Sequence, residues 1–282
     1  MLFRSALNAS CSGTPVSCNS GNNGSASVSA SGGTPSYSYA WSNGATTSSI
    51  SSLTAGNYSV TVTDANNCKA SCTFSVTQPT ALNASCSGTP VSCNGGNNGS
   101  ASVSASGGTP SYSYAWSNGA TTSSISSLTA GNYSVTVTDA NNCKASCTFS
   151  VTQPTSLSVS CSSTNGTCSS GGSASVSVSG GTPTYSYAWS NGATTSSISS
   201  LTAGNYSVTV TDANNCKASC SVSVSQIGGP SVSCSGTPVS CNGGNNGSAS
   251  VSASGGTPSY SYAWSNGATT SSISSLTAGN YS

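Results

Sequence analysis

Fourteen cysteines have the widest chemical range of any residue type in this sequence, and the first four stand at Cys11, Cys18, Cys68 and Cys72. They recur as Cys86, Cys93, Cys143 and Cys147, then as Cys161, Cys168, Cys216 and Cys220, and finally as Cys234 and Cys241. Such thiols can hold a metal, carry redox chemistry or close disulfides. A four-cysteine zinc site is the poorer reading, because the spacings C-x6-C and C-x3-C lack the paired knuckles of zinc modules. Nothing around the cysteines supplies acid–base chemistry either. The chain has no His and no Glu, and its acids are Asp64, Asp139 and Asp212. Neither a carboxylate pair nor a Ser/His/Asp set can be assembled, so no enzyme and no cofactor are expected. Disulfides in an oxidising compartment are the expected use of the thiols.

The remaining polar candidates are bland. Asp64 with Asn66 could ligate calcium, but one carboxylate per repeat is poor provision for a cation, and an Asx-type turn in a hairpin is the expected role. Lys69 reads as a solvated hairpin charge. Four basic residues spread over 282 positions provide no stripe for phosphates or anionic lipid, so neither nucleic acid nor a membrane surface is expected as a partner. Apolar runs of a few residues fall short of the roughly 20 needed for a membrane span. The opening Met1-Leu2-Phe3-Arg4-Ser5 leads into Asn8, Ser10 and Ser12 rather than an apolar export segment. Beside so many cysteines, this leads us to expect a piece of a longer exported chain.

The elements that must position these residues are repeats. Trp41, Trp116, Trp189 and Trp264 mark four copies, and residues 6–80 match 81–155 except for Ser20 against Gly95. After an N-terminal extension, 1–5, the expected domains are 6–80, 81–155, 156–228 and an incomplete 229–282. The third copy is shortened where the loop Asn19–Gly24 becomes Ser169–Gly172, as insertions and deletions belong in loops. The fourth stops short of the Val60-Thr61-Val62-Thr63 counterpart, leaving Cys234 and Cys241 without downstream partners.

Within the first copy the apolar period is 2: Ala26, Val28, Ala30; Tyr37, Tyr39, Trp41; Tyr58, Val60, Val62; Cys72, Phe74, Val76. Gly32-Gly33-Thr34-Pro35, Asn43-Gly44, Ala55-Gly56 and Asn66-Asn67 punctuate these runs as turns. Strands are predicted near 6–12, 25–31, 36–42, 47–53, 57–64 and 70–77, with no helix. The fold class is all-β: tandem, small, immunoglobulin-like antiparallel β-sandwiches held by disulfides. Tyr58 stands where a corner tyrosine anchors backbone, and Trp41 reads as core filling rather than a sugar-stacking platform.

Two bridges per repeat leave three connectivities. Cys68 and Cys72, if on one extended strand, have Cα atoms about 13 Å apart, too far for a bond. A nested arrangement with first and last strands antiparallel pairs Cys18 with Cys68 and Cys11 with Cys72, and likewise Cys93 with Cys143, Cys86 with Cys147, Cys168 with Cys216 and Cys161 with Cys220. Closing a loop of about 50 residues would contribute on the order of 4 kcal/mol to so small a module.

The stretches Val16-Ser17-Cys18-Asn19 and Gly32-Gly33-Thr34-Pro35-Ser36-Tyr37-Ser38-Tyr39-Ala40-Trp41-Ser42-Asn43-Gly44 resemble the SprB-type repeat. So do Ser49 through Tyr58 and Val60 through Cys68. The resemblance implies a very long, exported, cell-surface adhesin of gliding bacteria of the Bacteroidota. The family pattern includes the Cys18 and Cys68 positions, and Cys11 with Cys72 stands as an additional pair.

Nearly identical neutral modules suggest that length is the product. The expected function is a structural repeat region of an extracellular filament or adhesin stalk; the alternative is a glycan- or surface-binding adhesin module. Ice binding through Thr rows ranks below both, for want of a short solenoid period. With seven charged residues, the sheet edges need covering. In 81–155, 17 Ser and 10 Thr offer hydroxyls for covalent glycans, and self-association into filaments or bundles is the other expectation.

Overall fold

The computed structural model describes residues 5–282, and the expectations for residues 1–4 lie outside them. The first repeat forms β1 (Asn8–Thr14), β2 (Gly24–Ser31), β3 (Ser38–Trp41), β4 (Ser49–Leu53), β5 (Gly56–Thr63) and β6 (Lys69–Val76). The second repeats this as β7 to β12, from Asn83–Thr89 through Lys144–Val151, and the third as β13 to β18, from Ser158–Thr164 through Lys217–Val224. The fourth has β19 (Pro230–Thr237), β20 (Gly247–Gly255) and β21 (Ser272–Leu276). No helix occurs among the described residues.

Each complete repeat is a sandwich of two three-stranded antiparallel sheets, ordered β1-β2-β4 and β3-β5-β6 in the first. This is the strand order of an immunoglobulin core. Alternation places one face of each strand inward, so Ala26 and Val28 meet Trp41, Val60 and Val62 across the interface, with Val62 fully buried. The Trp41 indole donates to the Thr47 carbonyl at 2.8 Å and is core filling. Tyr58 Oη donates to the Thr54 carbonyl at 3.2 Å, the backbone anchor expected of a corner tyrosine.

Packing tolerates coordinated change. A Cβ on Gly13 would meet the Phe74 ring and the Ser25 carbonyl. In the third repeat the equivalents are Ser163 and Val222, so a smaller side chain on the sixth strand accompanies a larger one on the first.

Strand direction departs from expectation. β3 stops halfway along the sandwich, and the chain crosses to the other sheet, where Val28 N donates to the Ser48 carbonyl at 2.9 Å. It continues as β4 in the direction β3 was taking, so one reversal is lost. The first and last strands therefore run parallel. Cys11 is bonded to Cys72 and Val16 N donates to the Thr77 carbonyl at 2.9 Å, both pairs being 61 residues apart. In the third repeat the same relation is an isolated parallel bridge, Gly166 to Gln226.

Each module consequently has two distinct poles. At the entry pole Gly33 N donates to the Ser5 carbonyl and Ala65 N to the Thr34 carbonyl, joining the start of the repeat, the Gly-Gly-Thr loop and the β5–β6 turn. At the exit pole Asn19 Nδ2 donates to the Pro79 carbonyl at 3.0 Å and Ser20 N to Gln78 Oε1 at 2.8 Å.

The chain divides between Gln153 and Pro154 into two compact bodies of two repeats each. Every repeat has its own core cluster, the fourth reduced to Trp264, Ile273 and Leu276 with flanking side chains.

Candidate functional site

The functional chemistry of this chain is its sulfur. Cys11 on β1 and Cys72 on β6 lean inward from the edges of opposite sheets, and their bond closes that side of the sandwich with a Cα–Cα distance of 5.7 Å. Cys86–Cys147 and Cys161–Cys220 repeat it at 5.8 Å.

The second expected pair does not form within a repeat. Cys18 is bonded to Cys143, 125 residues away in the next repeat, with Cα atoms 5.7 Å apart, and Cys68 is an exposed free thiol. Cys93 therefore does not pair with Cys143. Cys168 is also free and so does not pair with Cys216, while Cys93 and Cys216 are each disulfide-bonded. The reason is the parallel course of β1 and β6. Cys18 follows β1 at the exit pole, whereas Cys68 precedes β6 at the entry pole, separated by a strand length of roughly 26 Å for eight residues. A cystine spans about 5.5–6 Å between Cα atoms. The exit pole of the first repeat, however, adjoins the entry pole of the second.

Both sides of this link are built. On the exit side Ser17 N donates to Asn23 Oδ1 at 2.9 Å, Asn23 Nδ2 returns a bond to Ser17 Oγ at 2.8 Å, and Gly21 N closes onto the Cys18 carbonyl at 3.0 Å. On the entry side Asp139 organises the turn. Its Oδ1 accepts from the backbone of Asn141 and Cys143, each at 2.9 Å, and its Oδ2 from Thr109 N at 2.8 Å. Asn141 Nδ2 then donates to Thr109 Oγ1 at 2.9 Å and, across the junction, to the Ser17 carbonyl at 3.0 Å. Ala81, Leu82 and Lys144 line the cleft beside the bond, where the peptide linker runs.

The buried carboxylates are held by N–H donors. Thr34 N at 2.8 Å is the leading cause that places the Asp64 carboxyl below the usual carboxylate range, partly opposed by desolvation and helped by Cys68 N and Asn66 N. Asp139 and Asp212 are lowered in the same way, by Thr109 and Thr182 first. An oxygen pair directed at three N–H groups fixes a turn, the Asx-type role, and Asn66 gives its amide to Thr34 Oγ1 at 2.7 Å. Lys69 faces solvent. Among the described residues no group of three or more His, Cys, Asp or Glu is placed to hold a metal ion, and no helix is long and apolar enough to cross a membrane.

The model of the SprB repeat matches residues 8–46, 83–121, 160–194 and 233–269. Comparison with curated proteins gives no significant match. Among solved structures the chain is similar to Sidekick-1 immunoglobulin domains 1–5, with 13% identity, TM-score 0.36, and coverage of 79% of this chain and 59% of that one. It is also similar to the N-terminal eight Ig domains of Down Syndrome Cell Adhesion Molecule isoform 1.30.30, with 11% identity, TM-score 0.33, and coverage of 93% and 53%. Titin domains I67–I69 match at 12% identity and TM-score 0.37, over 78% of this chain and 98% of that one. The chain thus spans between half and three fifths of the first two.

Proposed function

This chain belongs to the SprB repeat family, and from that premise we propose that it is a non-catalytic structural region of an extracellular bacterial filament or cell-surface adhesin stalk. The observation that carries the reading is the Cys18–Cys143 cystine, which ties the exit pole of one module to the entry pole of the next beside the peptide linker. Two covalent strands across one junction restrict bending there and keep the modules in series if either module opens, which suits a load-bearing string. The bonds within each sandwich support the same reading, because small cores rich in Ser, Ala and Gly gain stability from cystines in an oxidising exterior.

Covalent glycans on the outward Ser and Thr and self-association into filaments or bundles belong to this proposal. The outer face of β1 and β2 carries hydroxyl pairs such as Ser12–Ser27 at 3.0 Å and Thr14–Ser25 at 2.8 Å. Sugars there would shield edges that the few charges leave bare.

The test is native material, imaged by electron microscopy and mapped as unreduced peptides. Threads with a repeat of one module and a recovered Cys18–Cys143 peptide are expected, together with an intact mass exceeding that of the polypeptide. Free thiols at Cys18 and Cys143, or isolated globules without threads, overturn the structural reading. An intact mass equal to the polypeptide overturns glycosylation alone.

A further inference from the structure

Three cystines of the first two repeats close one covalent ring. From Cys11 the chain runs along β1 to Cys18, whose bond leads to Cys143, and four residues on Cys147 is bonded to Cys86. From Cys86 the linker leads back to Cys72, which is bonded to Cys11. The ring holds residues 11–18, 143–147 and 72–86. What remains between Cys11 and Cys147 lies in two loops that hang from it, 19–71 and 87–142. These loops carry β2 to β5 and their counterparts from Gly99 to Thr138, and with them the core residues Trp41, Val62, Trp116 and Val137.

Strand direction sets the ring across the line of pull. Because β1 and β6 run parallel, a module is entered and left at opposite poles, and tension on its ends slides β1 against β6 across the Cys11–Cys72 bond. Sheet hydrogen bonds exchange for bonds to water as they part, whereas a cystine holds, so a pulled chain lengthens only until its shortest covalent route is taut. Two routes join Cys11 to Cys147. One follows the chain to Cys18, crosses to Cys143 and continues to Cys147, and is taut at about 45 Å. The other crosses to Cys72, follows the linker to Cys86 and crosses to Cys147, and is taut at about 60 Å. The polypeptide alone between the same residues extends to about 480 Å.

We propose that the ring is a redundant load path that carries tension from the first module to the second around their cores rather than through them. This rests on the reading of the chain as a load-bearing string, and it states how the load crosses. Opening of either core adds no length while the ring is whole, because each loop begins and ends on it. The two routes also back one another. With either cut, the other is taut at about 60 Å or less, and a core enters the path only when both are cut.

The test pulls the full chain in optical tweezers, with thiol-independent handles on the exposed side-chain positions Ser5 and Thr152. With its cystines intact the chain should reach a limiting length of roughly 85 Å between the handles, and roughly 510 Å after reduction with dithiothreitol, a sixfold change. Cys18→Ser with Cys143→Ser should raise the oxidised limit only to about 100 Å, and Cys11→Ser with Cys72→Ser should leave it unchanged. All four substitutions together should raise it to about 300 Å, as the first core enters the path. The limit is a contour length, so it is read equally from a variant that folds poorly. A limit beyond about 200 Å in the oxidised unaltered chain, or after removal of either pair alone, overturns the load path. So does a limit that stays near 100 Å with all four substitutions. Threads in electron microscopy from a chain with the long oxidised limit remove the load path and leave the structural reading standing. Isolated globules from a chain with the short limit remove the structural reading and leave the ring as a brace between two modules.

Discussion

Repeats 1 and 4 pair their first sheets in the same register, yet bury them differently. Cys11 faces Val28 in one and Cys234 faces Val251 in the other, and the bulge between the second and fourth strands recurs. In repeat 1 Val28 is 7% exposed and Cys11 is half-buried against the core. In repeat 4, whose residues 229–282 include no β5–β6 hairpin, Val251 is only half-buried, Cys234 is exposed and Val232 is 65% exposed. Hydrogen-bonded pairing of neighbouring strands is thus a local matter, satisfied by one sheet. Burial and disulfide closure need the second sheet, because a three-stranded sheet exposes its apolar face until another covers it.

The comparison can be broken most severely at sulfur. Replacing Cys11 and Cys72 together by Ser should cost repeat 1 about 4 kcal/mol, the entropy of a loop of some 60 residues, and urea unfolding followed by tryptophan fluorescence should show a new early phase. Cys234→Ser should leave the profile unchanged. Equal effects would mean that the cystine does not set the difference between the repeats.

A smaller effect is expected in the core. Val28→Ala removes two methyl groups from a closed interface and should destabilise repeat 1 by roughly 2 kcal/mol, counting transfer and cavity terms. Val251→Ala, at an open face, should cost less than half as much. Hydrogen exchange on the peptides carrying each substitution measures both.

The smallest effect is electrostatic. The Asp64 carboxyl is lowered in the folded chain, chiefly by Thr34 N, so it binds a proton more weakly folded than unfolded. Its contribution is complete above the ordinary carboxylate pKa and is lost as pH falls through the lower folded value. NMR titration should therefore move the Thr34 and Cys68 amides only at pH below the ordinary carboxylate range, with matching transitions at Asp139 and Asp212. Residues 229–282 contain no Asp and should show none. Movement of the Thr34 and Cys68 amides above that range would refute the carboxylate as the clamp of the turn.

Much of the fold was legible in the residues. Period-2 runs around Val28, Trp41 and Val62 gave strands and core together, because alternation in a half-buried strand directly encodes its inner face. The boundaries shifted where tertiary contacts intervene: the first strand begins at Asn8 rather than residue 6, since Ser5 is engaged by Gly33 N at the entry pole. The Asx role of Asp64 and the anchoring role of Tyr58 followed from turn chemistry. The Asn23 clasp and the Asn141 contact to Ser17 were missed; the recurrence of Asn23 as Asn98 and Asn246 was the available signal, and the Asn141 contact had none.

The sequence by itself determined the repeat, the two-sheet alternation and the oxidised use of cysteine, since each is written in neighbouring residues or in their period. Only the tertiary structure decided which sulfurs meet. Cys68 and Cys143 occupy equivalent positions in a near-perfect repeat, so no local pattern distinguishes a partner within the module from one in the next. The crossing from β3 to β4 without a reversal sets β1 parallel to β6, sends Cys18 and Cys68 to opposite poles, and leaves the neighbouring module's thiol as the one within reach.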